Sequence, residues 1–394
     1  MKKVLHFTIA NTGGGITKFV LRLWKYIDRE RFHFDFVTMS KQLDFAEELE
    51  EEGCKIYYLS TYAEDDIEQF TKEVEEILDN GYDIVHLHTS WWRGFVLEEI
   101  AKRKRVKKII VHCHNTDVHI KENQSREEAR QLHLQQRELL TEDMATDFIA
   151  CSEDAAEWLY ADRISKDKIQ IIPYAIEVDD YKFNQKTRTR YRKMLNLQAE
   201  DYAIGHVGRF AYQKNHDFLI DVFENVCKYN ERAKLLLIGV GELEKEIKNK
   251  VFLKGLENRV LFLGKRDDVA PLMQAMDIFV FPSKFEGFGI VLIEAQAAGL
   301  KCIVSNEVPQ IARITDNIDY LSFEMDLWTD RVLEYSRGYA RKDMSIILEN
   351  KGYGMKALTS KFEKIYENLP VNKVNVGGVI LQKYNSVMRI GACA

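Results

Sequence analysis

Glu286 and Glu294 are separated by seven residues in the stretch FEGFGIVLIEAQAAGL. The preceding run DIFVFPS is typical of a strand, and IVLIEAQAAG is typical of a helix. Gly287 and Gly289 lie in the predicted loop between them, where the backbone can approach a ligand at the helix N-terminus. Free N–H groups there favour an anion, and carboxylates accept hydrogen bonds from paired hydroxyls such as those of sugars. A surface loop acid followed by a helix-face acid would give the same spacing.

Two cations follow another predicted strand. Arg209 and Lys214 come after AIGHVG and before a helix that we expect to begin near His216. Cations beyond the end of a strand suit a diphosphate. Two solvated loop cations are the alternative interpretation.

A glycine run lies between the first predicted strand and the first predicted helix. Gly13, Gly14 and Gly15 in TIANTGGGITKFV would offer backbone N–H groups to phosphate or another polar ligand. Simple tight turns would use the same residues. The run is not the GxGxxG dinucleotide pattern, and LLLIGVGELEKEI has Glu244 where a third glycine would be.

Four histidines lie in two strand-like segments, His86 and His88 in DIVHLHT and His112 and His114 in VHCHNTD. Alternate residues of a strand share a face, so each pair could hold a metal. We expect no metal, because no acidic triad or cysteine set accompanies them and buried strands accept hydrogen-bonded histidines. His114 ends its strand and should face a cleft.

The composition limits the class of protein. With 394 residues, 46% hydrophobic and 30% charged, the chain has the size and cores of a two- or three-domain globular protein. The net charge of -6 gives no global basic field for nucleic acid. Six isolated cysteines and the lack of a membrane-length apolar run predict a soluble cytoplasmic protein.

A basic run is the exception to that charge balance. AKRKRVKK carries Lys102, Arg103, Lys104, Arg105, Lys107 and Lys108. One interpretation is a solvated helix end and loop. The other is contact, through Lys102–Lys108, with anionic lipid headgroups on the inner face of the membrane or with a phosphorylated acceptor.

The remaining segments alternate between short apolar runs and amphipathic helices, which predicts parallel sheets covered on both faces. The rhythm pauses at about 178–201 and then restarts, so we predict two doubly wound α/β domains, residues 1–172 and 173–354. Ligands bind beyond the carboxyl ends of strands in such sheets, and two facing domains form a cleft. Residues 371–394 form a tail without a predicted role.

These segments together resemble the family 4 retaining glycosyltransferases, which have the GT-B fold. FPSKFEGFGIVLIEAQAAG resembles the family's E-x7-E signature, GRFAYQKN its phosphate-binding loop and NTGGGITKFV its N-terminal glycine loop. DIVHLHT, HCHNT, CSEDAAEWL and KIQIIPYAIEVDDYKF are similar to further landmarks in the same order. The resemblance covers residues 1 to about 370 and is strongest to the bacterial capsular or extracellular polysaccharide branch.

The resemblance implies a donor site in the C-terminal domain. Glu294 would bind the ribose of a nucleotide sugar, with UDP as the expected base, and Glu286 the donor sugar. Arg209 and Lys214 would neutralise the leaving diphosphate without a cofactor or metal. Backbone N–H groups would hold the sugar and phosphate at Phe288, Gly289, Ile290 and Val291.

The N-terminal domain would receive a saccharide or lipid-linked saccharide acceptor. The resemblance places Gly14 and Gly15 near the phosphate or acceptor and His114 near the anomeric carbon. It also implies that the helix at 355–370 crosses back onto this domain. The chain departs from the family pattern at Tyr174, where asparagine usually follows the proline. A nucleotide-sugar 2-epimerase on the same fold and a non-catalytic sugar-nucleotide-binding subunit are the alternative functions.

Overall fold

The computed structural model of the chain describes residues 1–11, 14–118 and 125–369. Gly13, Pro370 and the tail 371–394, on which sequence predictions were made, lie outside these residues. The described residues form two α/β domains, each built on a wholly parallel sheet. Both sheets carry helices, as the alternation of apolar runs and amphipathic helices predicts.

The first sheet has seven strands in the order β3-β2-β1-β4-β5-β6-β7. They are β1 Lys2–Ile9, β2 Phe32–Thr38, β3 Ile56–Tyr58, β4 Ile84–Thr89, β5 Lys108–Cys113, β6 Asp147–Ala150 and β7 Ile169–Ile171. All six residues of β5 are buried, as expected for a central strand covered on both faces.

The second sheet has six strands in the order β10-β9-β8-β11-β12-β13. They are β8 Tyr202–Val207, β9 Ala233–Ile238, β10 Val260–Phe262, β11 Ile278–Phe281, β12 Lys301–Ser305 and β13 Ile318–Leu321. The sequence predicts the first five of these, whereas β13 is an additional strand. It forms the sheet edge beside β12, and Asp319 interrupts its four-residue sequence IDYL, so no apolar run marks this strand.

Fifteen α-helices lie in the described residues. They are α1 Gly15–Tyr26, α2 Ala46–Glu51, α3 Ile67–Leu78, α4 Val96–Arg103, α5 Arg126–Arg137, α6 Glu153–Tyr160, α7 Val178–Tyr181, α8 Gln185–Met194, α9 His216–Tyr229, α10 Glu244–Leu253, α11 Val269–Ala275, α12 Ile290–Ala297, α13 Met325–Tyr335, α14 Ser345–Asn350 and α15 Met355–Glu367. The strandless stretch that separates the predicted domains contains α7 and α8.

Strand order reverses between β1 and β4 in the first sheet and between β8 and β11 in the second. Neighbouring loops diverge at such a point and leave a crevice beyond the strand ends. The loops after these four strands line one continuous cleft of about 1860 Å³ between the domains. The first sheet ends at Ile171 and the second begins at Tyr202. The predicted boundary between residues 172 and 173 lies between these two positions.

Helix α15 returns the chain to the N-terminal domain, where it packs against α1. The ring centres of Phe362 and Phe19 lie 5.6 Å apart, and the ammonium of Lys2 donates to the carbonyl of Tyr366 at 3.1 Å. The two domains are therefore connected twice, through the segment before β8 and through α15.

Candidate active site

Lys214 lies at the end of a short 3₁₀ turn, Tyr212–Lys214, that follows β8. Its ammonium is 2.5 Å from a carboxylate oxygen of Glu286 and 4.6 Å from the centre of the Phe281 ring. A side chain at Gly208 would meet the methylenes of Lys214 at about 3.0 Å, so the glycine leaves room for this lysine over the strand end. Lys214 and Glu286, predicted from separate motifs, thus form one buried ion pair.

Arg209 also lines the cleft, directly after β8. Its side chain is exposed and has no ion pair within the part of the chain that the structure describes. Because Glu286 compensates Lys214, the guanidinium of Arg209 supplies the uncompensated positive charge of this wall. A diphosphate would find both cations within the same loop.

The loop from Glu286 to Gly289 ends at the N-terminus of α12. Gly289 has a φ of +85°, a conformation that favours glycine, and it is the N-cap of the helix. Ile290 and Val291 line the cleft in the first turn of α12, and this turn contains no acidic residue. Phe288 is buried and packs 5.7 Å from Tyr174. This aromatic contact packs the loop Glu286–Gly289, which lines the cleft, against the linker residue Tyr174.

The N-terminus of α1 lies in the opposite wall. Gly14 is its N-cap and Gly15 its first residue; both line the cleft, and neither an acidic residue nor a capping side chain occupies the first turn. The cleft therefore contains the positive ends of two helices, one from each domain.

Two hydroxyls hold the donor-side loop against the N-terminal domain. Thr116 donates to the carbonyl of Glu286 at 3.0 Å, and Ser152 donates to the carbonyl of Gly287 at 2.6 Å. Sequence analysis missed both residues. Ser152 is the N-cap of α6, and Thr116 directly follows the HCHN segment. Each residue is therefore explained by its own segment, and the sequence does not reveal its contact with the other domain.

His114 lines the cleft, but both of its ring nitrogens have partners inside the protein. Nδ1 is 2.6 Å from the Tyr174 hydroxyl, and Nε2 is 2.9 Å from Nδ1 of His88. Burial, with smaller effects of His112 and His88, lowers the pKa of His114 well below its usual value, so the ring is neutral. A donor sugar would have to displace Tyr174 to reach Nδ1. The backbone carbonyl of His114 instead faces Gly287, where an added Cβ would lie only 2.0 Å away.

The four histidines noted in the sequence join a fifth, His6, on one face of the sheet. Two groups of three place their ring nitrogens within 4.8 Å of one another: His6, His86 and His88, and His88, His112 and His114. Most of these nitrogens pair with each other or with a tyrosine, as between His6 Nδ1 and His88 Nε2 at 2.9 Å. This pairing is the satisfied-core arrangement that sequence analysis favours, and the absence of a metal stays a prediction.

Glu294 occupies a different place from the other predicted site residues. It is buried in α12, one turn below the cleft wall, and its carboxylate pairs at 2.9 Å with Arg22 of α1. Arg22 also pairs with Glu177 at 2.9 Å and lies 3.4 Å from the hydroxyl of Tyr181. A ribose could reach Glu294 only by sharing or replacing these partners. No sequence motif marks Arg22, which is 272 positions away.

The basic run at Lys102–Lys108 is not a free positive surface. Five of its six cations pair with acids on neighbouring elements: Lys102 with Asp143, Arg103 with Glu75, Lys104 with Asp79, Lys107 with Asp83 and Lys108 with Asp147. Lys108 is 2% exposed and donates to the carbonyls of Ile365 and Asn368, each at 2.7 Å. The prediction that Lys108 contacts lipid headgroups is therefore wrong, because this lysine anchors the end of α15.

Two facing Rossmann-like domains with a cationic, helix-ended cleft define the class of GT-B glycosyltransferases. Residues 187–320 match the family Glycosyl transferases group 1, and residues 14–175 match the Glycosyl transferase 4-like domain. EpsF of Bacillus subtilis (strain 168) is 31% identical over 313 residues, which are 78% of this chain and 80% of that protein. The chain belongs to the group 1 glycosyltransferases, and it is a transferase.

More distant relatives cover nearly the whole chain. The UDP-Gal:alpha-D-GlcNAc-diphosphoundecaprenol alpha-1,3-galactosyltransferase of Escherichia coli is 23% identical over 94% of this chain and 98% of its own length. The capsular polysaccharide biosynthesis glycosyltransferase CapH of Staphylococcus aureus is 24% identical over 93% and 99%. The structure of Anabaena HepE in complex with UDP-glucose superposes with a TM-score of 0.74 at 18% identity, over 94% of this chain and 100% of that one. This last likeness confirms the predicted fold.

Among the described residues, no helix has the length and apolar character needed to cross a membrane.

Proposed function

We propose that this glycosyltransferase moves a hexose or N-acetylhexosamine from a UDP-sugar to a saccharide or lipid-linked saccharide, with retention at the anomeric carbon, in the synthesis of a bacterial surface polysaccharide. The observation that carries the proposal is the joint position of Arg209, Lys214 and the N-terminus of α12 beyond the switch point of the second sheet. Fixed cations and N–H groups there would stabilise the charge that develops on a leaving diphosphate.

In the proposed reaction the bond between the anomeric carbon and the diphosphate oxygen breaks, and a bond to the acceptor oxygen forms on the same face. The acceptor proton passes to an oxygen of the departing phosphate. Arg209 and Lys214 take up the negative charge, which is why we propose that no metal is needed. Retention rests on the resemblance to the retaining family.

The choice of UDP and of the acceptor rests on the relatives. The E. coli relative is named for a UDP-sugar donor and a diphosphate-linked lipid acceptor, and the HepE structure is described with UDP-glucose. We do not extend the proposal to a membrane contact through the basic run, since five of its six cations have acid partners.

The first experiment measures binding and slow hydrolysis of UDP-, GDP- and ADP-sugars by wild type and by Lys214→Ala. The proposal expects one UDP-sugar to bind and turn over in the presence of EDTA, with the released sugar keeping the anomeric configuration by NMR. Loss of turnover with EDTA would contradict the metal-independent route, and an epimerised nucleotide sugar would favour the 2-epimerase. Binding of no nucleotide sugar would overturn the donor assignment.

A further inference from the structure

The N-terminal wall of the cleft extends away from His114 along α4 and α5. We call this part the α4–α5 wall; it comprises Trp92, Phe95, Glu98, Gln136, Leu139 and Met144. None of these residues belongs to the donor site described above.

The α4–α5 wall is held in place from behind. The backbone N–H of Trp92 donates to Nδ1 of His133 on α5 at 3.0 Å, and its indole N–H donates to the carbonyl of Leu159 at 2.8 Å. The rings of Trp92 and Phe95 lie 4.8 Å apart. These contacts hold the α4–α5 wall in one position, and the rings of Trp92 and Phe95 form its aromatic part.

Glu98 is only 6% exposed, yet its carboxyl has no ion pair or hydrogen bond to another described residue. Burial raises the pKa of this carboxyl to about 7. Buried acidic side chains almost always have a hydrogen-bond or ion-pair partner, and the described residues supply none to this carboxyl.

The side-chain oxygen of Gln136 also lacks a hydrogen-bond partner among the described residues. Gln136 is 7% exposed, and its Oε1 is fully buried without a hydrogen bond from the described residues. Leu139 and Met144 lie beside it on the wall, and Leu139 is 55% exposed, so the wall opens to solvent at this end. Two side chains on one wall thus lack hydrogen-bond partners, and turning the Gln136 amide over would present its oxygen to a ligand in the cleft.

The surroundings select the kind of ligand. A plain alkyl chain would leave both oxygens unpaired, and so would a phosphate dianion, whose oxygens are themselves acceptors. A sugar ring offers hydroxyl donors at its rim and C–H groups at its faces, which match two acceptors among aromatic and aliphatic side chains.

We propose that the α4–α5 wall is a subsite for a sugar ring of the acceptor, with Glu98 and Gln136 accepting hydrogen bonds from its hydroxyls. The inference rests on the proposed function and deepens it, because it requires an acceptor with a sugar ring that reaches this wall.

The test measures binding of octyl mono- and disaccharide glycosides of glucose, galactose and N-acetylglucosamine to the full chain with UDP present. Saturation-transfer NMR and tryptophan fluorescence report the complex. We expect at least one glycoside to bind, and Glu98→Ala and Gln136→Leu each to weaken it about tenfold or more. The matched control, Glu99→Gln on the next helix position, should stay within about twofold, and UDP affinity should not change in any variant.

Three outcomes would overturn the subsite: no glycoside binds wild type, both substitutions leave binding unchanged, or UDP affinity falls in parallel with glycoside affinity. If Glu98→Ala does not fold, Glu98→Gln keeps the shape of the side chain and replaces one acceptor by a donor. Donor binding and slow hydrolysis need no acceptor, so their failure would be a failure of the proposed function, whereas intact donor hydrolysis without glycoside binding would reject only the subsite.

Discussion

Lys214 is the residue on which charge stabilisation at the donor site depends most directly. Lys214→Ala removes a fixed cation and leaves the buried Glu286 carboxylate unpaired beside the leaving group. We expect kcat/KM for the nucleotide sugar to fall by about 10²- to 10³-fold, as for loss of one preorganised charge-stabilising group. Lys234→Ala is the control, because that lysine lies near the start of β9, does not line the cleft and donates to the carbonyl of Asn258. A change of less than a few fold in Lys214→Ala would remove this lysine from the mechanism.

Glu98 should make stability depend on pH. Burial raises its pKa from 4.5 to about 7, so the folded protein binds this proton more tightly than the unfolded chain. The stability that the proton contributes is complete below about pH 4.5 and is lost as the pH rises through about 7. At about 1.4 kcal/mol per pKa unit, the loss approaches ~3 kcal/mol.

Urea unfolding of wild type and Glu98→Gln between pH 5 and 8 checks this expectation. The amide cannot ionise, so the variant should match wild type at pH 5 and exceed it at pH 8. Exposed Glu257→Gln is the control and should show the same pH slope as wild type. Parallel slopes for wild type and Glu98→Gln would show that the Glu98 carboxyl is not protonated in the folded state near neutral pH.

Helices α1 and α12 both begin at the cleft and are joined one to two turns further on by Arg22 and Glu294. Arg22→Ala leaves the almost fully buried Glu294 carboxylate without its ion-pair partner, whereas Glu294→Ala leaves Arg22 paired with Glu177 alone. A double-mutant cycle with Arg22→Ala and Glu294→Ala should therefore give a coupling energy above about 1 kcal/mol in urea unfolding.

The partly exposed pair Arg331–Asp319 provides the comparison, and its cycle should give less than about 1 kcal/mol. Additive effects of Arg22→Ala and Glu294→Ala would mean that the two helices are not coupled through this pair. Affinity for UDP and for 2′,3′-dideoxy-UDP, measured on the same variants, reports separately whether Glu294 also serves the ribose.

The elements were predictable wherever local pattern decides them. Twelve of the thirteen strands appear in the sequence as apolar runs, because buried parallel strands need nonpolar side chains on both faces. β13 was not predicted, because Asp319 interrupts the apolar run of its four-residue sequence IDYL. The strand-end rule placed Gly14, Arg209, Lys214 and Glu286 at one cleft. Arg22 and Ser152 could not be found this way, because their partners lie far along the chain in the other domain.

At the scale of the whole molecule, the two domains meet where the donor-side loop touches the end of β5. An added Cβ at Gly287 would lie 2.0 Å from the carbonyl oxygen of His114 and 2.8 Å from Cα of Asn115. Both contacts are backbone, so they cannot yield as a flexible side chain would. Only glycine permits this approach, and the hydrogen bond from Ser152 to the Gly287 carbonyl then holds it.

Gly287→Ala should therefore separate the domains rather than unfold either of them. A displacement of about 1 Å between reacting groups costs on the order of 10²-fold in rate, so we expect kcat/KM to fall by at least that factor. Small-angle scattering should show a larger radius of gyration, while the thermal unfolding of each domain changes little. Gly338→Ala is the contrasting control: its φ of +81° strains an alanine, but no atom lies within 4 Å of the added Cβ. That variant should lose stability and keep its activity, and wild-type activity in Gly287→Ala would show that the chemistry does not require this contact between the domains.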